Sequence, residues 1–214
     1  MITIHHLGVS QSDRVVWLME ELGLPYELKW YDRGEDFLST PEYRALHPAG
    51  TAPVITDGDL VLGESTAIVE YISQRYGEGK LSVPVSDPDY PHYLYWMQFN
   101  NNLQSSLFIK LAIKMAGVEP SADNIMLTTT ERREEGIYLT LEQRLGESDY
   151  LGGPHFTCAD IMSMFNLTSL GMLGAREIDD SLPNTKAYVE RVSARPAYQK
   201  AMEIAGPAAT NPGS

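Results

Sequence analysis

Residues 2–31 read ITIHHLGVSQSDRVVWLMEELGLPYELKWY and combine a β-rich segment, a helical pattern and a second β-rich segment. The apolar residues between Val15 and Leu22 recur at a spacing that places them on one face of a helix. Gly23 and Pro25 then predict the end of that helix, because glycine favours a left-handed ending and proline cannot continue a helix. Strand, helix and strand within about 30 residues predict a parallel βαβ unit.

The chain beyond this unit predicts a compact continuation of the same domain. A short helix, two strands and a longer helix are expected in turn, at residues 41–46, 53–56, 60–62 and 64–76. The dipeptide Asp57-Gly58 joins the two strands, and it favours a tight hairpin because both positions tolerate positive φ. The first 77 residues therefore predict an α/β domain with the order βαβ-α-ββα.

A segment rich in Gly, Pro and Asp interrupts these patterns and predicts a linker over residues 78–90. Beyond it the strand patterns largely vanish. Helical patterns follow at roughly residues 91–116, 122–146, 157–171, 184–194 and 196–204. We therefore expect a first domain over residues 1–77 and an all-α domain over residues 91–214.

Composition and charge limit the classes of partner. The 214 residues include one cysteine, which excludes a disulfide within the chain, and the amino terminus lacks the pattern of a secretory signal. The formal net charge is −13 with no compact run of Lys and Arg, which argues against nucleic acid and anionic membranes. No apolar run approaches the roughly 20 residues that span a bilayer. We expect a cytoplasmic protein.

Two motifs in the first domain fall where backbone groups can face a ligand. Pro53 begins a strand, and a cis bond before it would leave the Ala52 N–H and C=O free for an extended peptide; a trans proline is the commoner arrangement. Glu64 and Ser65 lie where a strand turns into a helix, so they could hold the ammonium and the carboxylate of an α-amino acid. Taken alone, the pair is better explained as a helix cap.

A third motif, Ser10-Gln11-Ser12-Asp13-Arg14, lies at the first strand-to-helix turn. A hydroxyl beside a helix N-terminus can donate a hydrogen bond to a bound thiolate. Such surroundings lower thiol pKa values to about 3.5–7.5 in favourable protein sites. Ser10 and Asp13 also fit a capping box with Asp in place of Glu, and capping is favoured when the segment is taken alone.

Together, and in this order on a βαβ-ββα scaffold, the three motifs resemble the glutathione S-transferase family over essentially the whole chain. The resemblance is strongest to bacterial and fungal members that use serine at the active turn. It implies a thioredoxin-like glutathione-binding domain followed by a helical electrophile-binding domain. It also implies a cis bond before Pro53, with the backbone of Ala52 paired to the cysteinyl part of glutathione, and Glu64 and Ser65 holding the γ-glutamyl end.

The resemblance assigns activation of the thiol to Ser10, which precedes Arg14 by four residues, with Ser12 as the alternative donor. Thr51 stands where some relatives carry a lysine. If that lysine helps to hold the glycyl carboxylate, its replacement is unassigned, since the sequence does not choose between the neighbouring Arg44 and His47.

The predicted helical domain carries one structural motif and one candidate pocket. Thr157 and Asp160 form a capping box that begins an apolar helix, and the family has a similar structural box at its buried sixth helix. An aromatic run on the first helix of this domain predicts core or interface. One side of that helix is the candidate electrophile pocket, with Phe99, Asn102 and Phe108.

The function implied by the resemblance is conjugation of the glutathione thiolate to small apolar electrophiles, a detoxification reaction. Glutathione is a cosubstrate, no metal or redox cofactor is implied, and the protein is expected to form a homodimer. A peroxidase, a dehalogenase and an ether-cleaving enzyme remain alternatives on the same fold. A non-catalytic glutathione-binding or interaction protein is a further alternative, against which Ser10 and the Glu64-Ser65 pair argue.

Overall fold

The computed structural model describes residues 1–117, 121, 123–171 and 175–213, apart from the side chains of Asn100 and Asn101. Within these residues the chain forms four strands and eight helices. No helix in this part of the chain is long and apolar enough to cross a membrane.

The amino-terminal part confirms the predicted α/β order. Its elements are β1 Ile2–Leu7, α1 Asp13–Leu22, β2 Tyr26–Tyr31, α2 Pro41–Arg44, β3 Val54–Asp57, β4 Leu60–Gly63 and α3 Ser65–Arg75. The four strands form one sheet in the order β2-β1-β3-β4. The β1–β2 pair is parallel, whereas β3 runs antiparallel to both of its neighbours. This is the arrangement expected of a thioredoxin-like domain.

Local sequence explains how α1 and the hairpin end. Gly23 closes α1 at a φ of 64°, and its N–H donates to the Glu20 carbonyl. Gly58 has a φ of 59° in the turn between β3 and β4, which is the positive φ that a two-residue hairpin turn needs. Both glycines therefore stand where a side chain would strain the backbone.

The remaining elements are all helices: α4 Tyr90–Met115, α5 Ile125–Glu147, α6 Cys158–Thr168, α7 Pro183–Ser193 and α8 Pro196–Ala205. The predicted start of α5 at residue 122 lies outside the described residues. Helix α4 packs against both α5 and α6. Cys158 is fully buried at the start of α6, as expected of a small core residue.

Two compact units make up the chain, and they differ from the predicted domains. The first contains Met1–Pro84 together with Val192–Ser214, and the second contains Val85–Arg191. The end of the predicted helical domain therefore belongs to the first unit, because α8 packs against α1. An amphipathic pattern shows that a helix has a face to bury, but it does not show which neighbour covers that face.

The contact between α8 and α1 combines an aromatic pair with a partly buried ion pair. Trp17 and Tyr198 meet edge to face with their ring centroids 4.8 Å apart. The Arg195 guanidinium donates from Nε and Nη2 to the two carboxylate oxygens of Glu21, both at 2.7 Å. A two-pronged pair of this kind fixes orientation as well as adding attraction.

Candidate functional site

The three predicted motifs lie at one end of the sheet. His5 of β1 faces Val54 of β3, and Val54 in turn faces Gly63 of β4. The chain leaves β1 after Leu7, enters β3 at Val54 and leaves β4 after Gly63. Because β3 is antiparallel to both neighbours, three segments emerge from the same end of the sheet. They are the turn at Ser10–Ser12 (the serine turn), the segment before Pro53 and the start of α3.

The Ala52–Pro53 peptide bond is cis, which is the geometry that the family resemblance implied. Pro53 is buried, Ala52 is partly buried and Thr51 is exposed. Ala52 packs against a cluster of buried side chains that includes Leu7 and Tyr43. Among the described residues, the Ala52 N–H and C=O have no hydrogen-bond partner.

The start of α3 is not capped by its own side chains. Glu64 occupies the N-cap position at a φ of 66°, is exposed, and forms no side-chain capping bond. Ser65 is buried, and its hydroxyl contacts the Gln11 Oε1 at 3.4 Å and the Arg14 Nη1 at 3.5 Å. The capping explanation for Glu64 and Ser65 is therefore not observed. Gln11, which sequence reasoning did not select, joins the segment Ser10–Arg14 to the Glu64-Ser65 pair.

Arg14 places a positive charge next to the Ser65 hydroxyl. It is fully buried, and burial lowers the pKa of its guanidinium to about 10, a shift that the adjacent Asp13 carboxyl opposes. Arg14 therefore remains charged near neutral pH. Burial also raises the pKa of Asp13 to about 7, against the lowering effect of Arg14.

The capping box suggested for Ser10 and Asp13 does not form. The N-cap of α1 is Ser12, and its side chain makes no capping bond. Asp13 is buried, and its Oδ1 has no partner among the described residues. The hydroxyls of Ser10 and Ser12 are instead part of another hydrogen-bonded group.

That group links the serine turn to β1. The Ser10 hydroxyl donates to the Leu7 carbonyl at 2.6 Å and lies 2.7 Å from the Ser12 hydroxyl. The Ser12 hydroxyl lies 2.8 Å from Nδ1 of His6. Ser10 is 7% exposed, whereas Ser12 and His6 are 0% exposed. Sequence reasoning did not select His6, because a hydrogen bond from a strand residue to a later turn has no distinctive spacing.

Arg33 holds the segment that leads into the serine turn. Its guanidinium donates to the carbonyls of Gly8, Val9 and Phe37 at 2.7, 2.8 and 2.7 Å. Val9 has a φ of 51°, an uncommon conformation for a β-branched residue. The three hydrogen bonds stabilise this turn. Sequence reasoning missed Arg33, because a cation in a loop has no distinctive spacing.

The two side chains considered for the glycyl end, Arg44 and His47, border the loop before Pro53. The aliphatic part of the Arg44 side chain lies against Gly50. The His47 ring lies against Gly63, and its Nδ1 accepts a hydrogen bond from the Ala49 N–H at 3.2 Å. Both side chains therefore come close to the loop that contains Thr51.

The candidate electrophile residues do not all share one surface. Phe99 and Asn102 line an open depression on α4, formed by residues that recur every three or four positions: Pro91, Leu94, Tyr95, Gln98, Phe99 and Asn102. Phe108 follows Phe99 by nine residues, about two and a half helical turns, so it lies on the opposite side of α4. It is 49% exposed there.

Known proteins match both parts of the chain. Residues 10–75 match the family model described as glutathione S-transferase, N-terminal domain, and residues 105–196 match that of the C-terminal domain. Glutathione S-transferase APIC of Nicotiana tabacum is 31% identical over 208 residues, covering 94% of this chain and 97% of that relative.

Solved structures agree with these matches. A glutathione S-transferase of Actinobacillus pleuropneumoniae is 33% identical, with a TM-score of 0.83, covering 96% of this chain and 93% of that one. A theta class enzyme of Xanthomonas axonopodis pv. citri, solved with glutathione bound, is 26% identical with a TM-score of 0.70, covering 96% and 98%. With both domains matched and relatives above 30% identity aligned over nearly their full length, the chain belongs to the glutathione S-transferase family.

Proposed function

We propose that this glutathione transferase joins the thiolate of glutathione to small apolar electrophiles, with Ser10 donating the hydrogen bond that stabilises the thiolate. The observation that carries the proposal is the convergence of Ser10, Ala52 and the Glu64-Ser65 pair at one end of the sheet. A tripeptide laid across that end reaches all three with its ordinary hydrogen-bonding groups.

The γ-glutamyl end of glutathione would bind at the start of α3. Its ammonium would pair with Glu64, whose exposed carboxylate makes no capping bond. Its carboxylate would accept from Ser65 and from the first N–H groups of α3, where the helix dipole favours an anion. The buried charge of Arg14, which contacts Ser65, adds to this attraction.

The cysteinyl and glycyl parts would follow the segment before β3. The Ala52 N–H and C=O, which lack partners among the described residues, would pair with the cysteinyl backbone. The glycyl carboxylate would lie beside Thr51, where the neighbouring Arg44 and His47 supply hydrogen-bond donors.

Ser10 is the better candidate of the two serines for contact with sulfur. Ser12 is fully enclosed, whereas Ser10 retains some exposure. The Ser10 O–H, which donates to the Leu7 carbonyl here, would turn toward bound sulfur. A hydrogen bond to the charged form, together with the positive end of α1, lowers the pKa of the thiol.

The reaction follows from these contacts. The thiol releases its proton to solvent, and a sulfur lone pair forms the bond to the electrophilic carbon while the leaving group departs with its bonding electrons. Holding both substrates removes translational entropy from the barrier. Glutathione acts as cosubstrate, and no metal or redox cofactor takes part. We assign the electrophile to the stripe of α4 that contains Phe99 and Asn102.

Members of the family typically bind glutathione with an electrophile and dimerise. We extend both properties to this chain, as a homodimer located in the cytosol. Sedimentation of the purified protein measures its oligomeric state, and a monomer at micromolar concentration would contradict the proposed homodimer.

The replacement Ser10→Ala tests the mechanism. The pKa of bound glutathione, followed by the ultraviolet absorbance of the thiolate, should rise by about 1–2 units, because a hydrogen bond to a charged group is lost. S-methylglutathione has no ionisable thiol, so its affinity should be nearly the same in both proteins. An unchanged titration would remove Ser10 from the mechanism.

Turnover separates the proposal from its rival. The parent protein should be retained on immobilised glutathione and should conjugate a chlorinated nitrobenzene. Retention without turnover would indicate a non-catalytic glutathione-binding protein. Failure to bind glutathione at all would refute the proposal as a whole.

A further inference from the structure

The hydrogen bonds around Ser10 have a direction that three distances determine. The Leu7 carbonyl can only accept, so the 2.6 Å contact requires the Ser10 hydroxyl to donate to it. The single hydroxyl proton of Ser10 is then engaged. The 2.7 Å contact between Ser10 and Ser12 must therefore use the proton of Ser12.

The same reasoning extends to β1. Since the Ser12 proton points to Ser10, the 2.8 Å contact between Ser12 and His6 needs a proton on Nδ1 of His6. The donors therefore run from His6 to Ser12, then to Ser10, and end at the Leu7 carbonyl. This assignment makes His6 the first donor of a chain whose last donor is the proposed catalytic hydroxyl of Ser10.

The surroundings of His6 favour its neutral form. The ring is 0% exposed, and burial is the main cause that lowers its pKa to about 4, with the charge of Arg33 adding to the effect. The His6 ring packs edge to face against the Trp30 ring, with ring centroids 4.3 Å apart. Nε2 has no partner among the described residues, so Nδ1 makes the hydrogen bond of this ring.

The direction of the chain matters to a bound sulfur. The Ser10 oxygen accepts from the Ser12 hydroxyl and, at 3.3 Å, from the Ser12 N–H, so the remaining group that Ser10 can offer a ligand is its proton. If the chain ran the other way, Ser10 would donate to Ser12, and a lone pair would face the sulfur and oppose the thiolate. Successive hydrogen bonds also polarise one another, which strengthens the last donor.

We infer that His6 is a positioning residue that, through Ser12, holds the Ser10 hydroxyl as a donor toward the sulfur of glutathione. The inference rests on the proposed function. It adds to that function a buried side chain on β1 that contacts neither substrate.

Replacing His6 by residues that keep or lose the donor tests the inference. His6→Leu removes the proton at Nδ1, and we expect the pKa of bound glutathione to rise by about one unit, with a fall in kcat of up to about tenfold at a pH below that pKa. The KM for glutathione should change less than threefold, because no binding group is lost. His6→Asn places an amide N–H near the position of Nδ1 and should restore most of the loss.

His5→Leu is the matched control. His5 is the neighbouring buried residue of β1, but its ring contacts Tyr31 and Thr56 on the other face of the sheet. The control should leave the pKa of bound glutathione unchanged, although it alters the same strand. An equal rise in His5→Leu and His6→Leu would overturn the inference in favour of a general effect of strand damage.

Ser12→Ala provides a second route that leaves the strand intact. It interrupts the chain between His6 and Ser10, so the rise in thiol pKa should match that of His6→Leu. In the double variant the two effects should not add, because both break one chain. If His6→Leu fails to fold, Ser12→Ala alone decides, and an unchanged thiol pKa in it overturns the inference.

The ring tautomer is measured without glutathione. The ¹⁵N shifts of His6 in the free protein should show a proton on Nδ1 and none on Nε2, and the reverse result would overturn the inference whatever the enzyme does. If Ser10→Ala raises the thiol pKa while His6→Leu does not, the proposed function stands and the inference alone fails. If Ser10→Ala also leaves the thiol pKa unchanged, it is the assignment of Ser10 that fails.

Discussion

The beginnings of α6 and α3 both carry polar residues in sequence, but those residues are used differently in the structure. At α6, Thr157 accepts from the Ala159 N–H, and the Asp160 carboxylate accepts from the Thr157 N–H, so the helix is capped by its own side chains. At α3, Glu64 occupies the same N-cap position without a side-chain capping bond. The first helix start is capped by its own residues, whereas Glu64 at the second makes no capping bond, and we propose that its carboxylate serves a ligand instead.

The serine turn before α1 belongs with α3 in this comparison. Its hydroxyls do not cap α1 and are arranged instead by Leu7 and His6. A polar residue at a helix start is thus structural when it bonds to its own helix and a candidate binding group when another element orients it. Three experiments test this distinction, from the largest expected effect to the smallest.

Replacing Asp160 should have the largest effect. Its buried carboxylate accepts from the N–H groups of Leu151 and Thr157 and from the hydroxyls of Thr157 and Tyr188. Asp160→Ala leaves these donors without their acceptor, so the free energy of unfolding should fall by about 3–5 kcal/mol. Urea denaturation measures the loss. The exposed Asp180, replaced in the same way, is the control, and a similar loss in both would contradict the distinction.

His6, beside the serine turn, and Asp160, at the start of α6, should change the free energy of unfolding with opposite signs as pH varies. Burial lowers the pKa of His6 to about 4, below its value in the unfolded chain, so the folded state binds fewer protons as pH falls from about 6.5 to 4. The free energy of unfolding therefore decreases as pH falls through this range. Burial raises the pKa of Asp160 to about 6, so that group makes stability fall as pH rises from about 4 to 6.

His6→Asn isolates the contribution of His6 to the pH dependence of stability. It should reduce the loss of stability between pH 6.5 and 4 by up to about 3 kcal/mol, because the titrating group is gone. Urea denaturation across that range measures the slope, with His5→Asn as the comparison. The same slope in His6→Asn and the parent would contradict the assignment.

Glu64→Gly should have the smallest effect on stability and a clear one on binding. The φ of 66° strains a residue with a side chain, and glycine removes the strain at a cost in chain entropy. The free energy of unfolding should therefore stay within about 1 kcal/mol of the parent. Affinity for glutathione, measured by calorimetry, should fall at least about tenfold because the ammonium loses its partner. Unchanged affinity would remove Glu64 from the site.

Most of the fold followed from local patterns. Gly23 and the Asp57-Gly58 turn mark boundaries that the chain needs for backbone reasons, so α1 and the β3–β4 hairpin were predicted correctly. The capping box of Thr157 and Asp160 was read correctly for the same reason, since its partners lie within three residues.

What sequence could not supply are the partners that come from elsewhere in the chain. His6 reaches Ser12 across a turn, and Gln11 reaches Ser65 from 54 residues away. Arg33 holds the serine turn from beyond β2. None of these contacts has a fixed spacing, so the motifs were visible while the side chains that orient them were not.

The return of α8 to α1 makes the helical unit an insertion in the chain of the first unit. A gene fragment ending near Pro84 would lack Tyr198 and Arg195, and it would expose Trp17 and leave Glu21 without its guanidinium. An independent glutathione-binding fragment would therefore have to splice residues 192–213 directly onto residue 84. Both ends of the helical unit, near residues 84 and 192, join the first unit. A chimera that takes this unit from a relative would therefore need compatible sequence at both junctions.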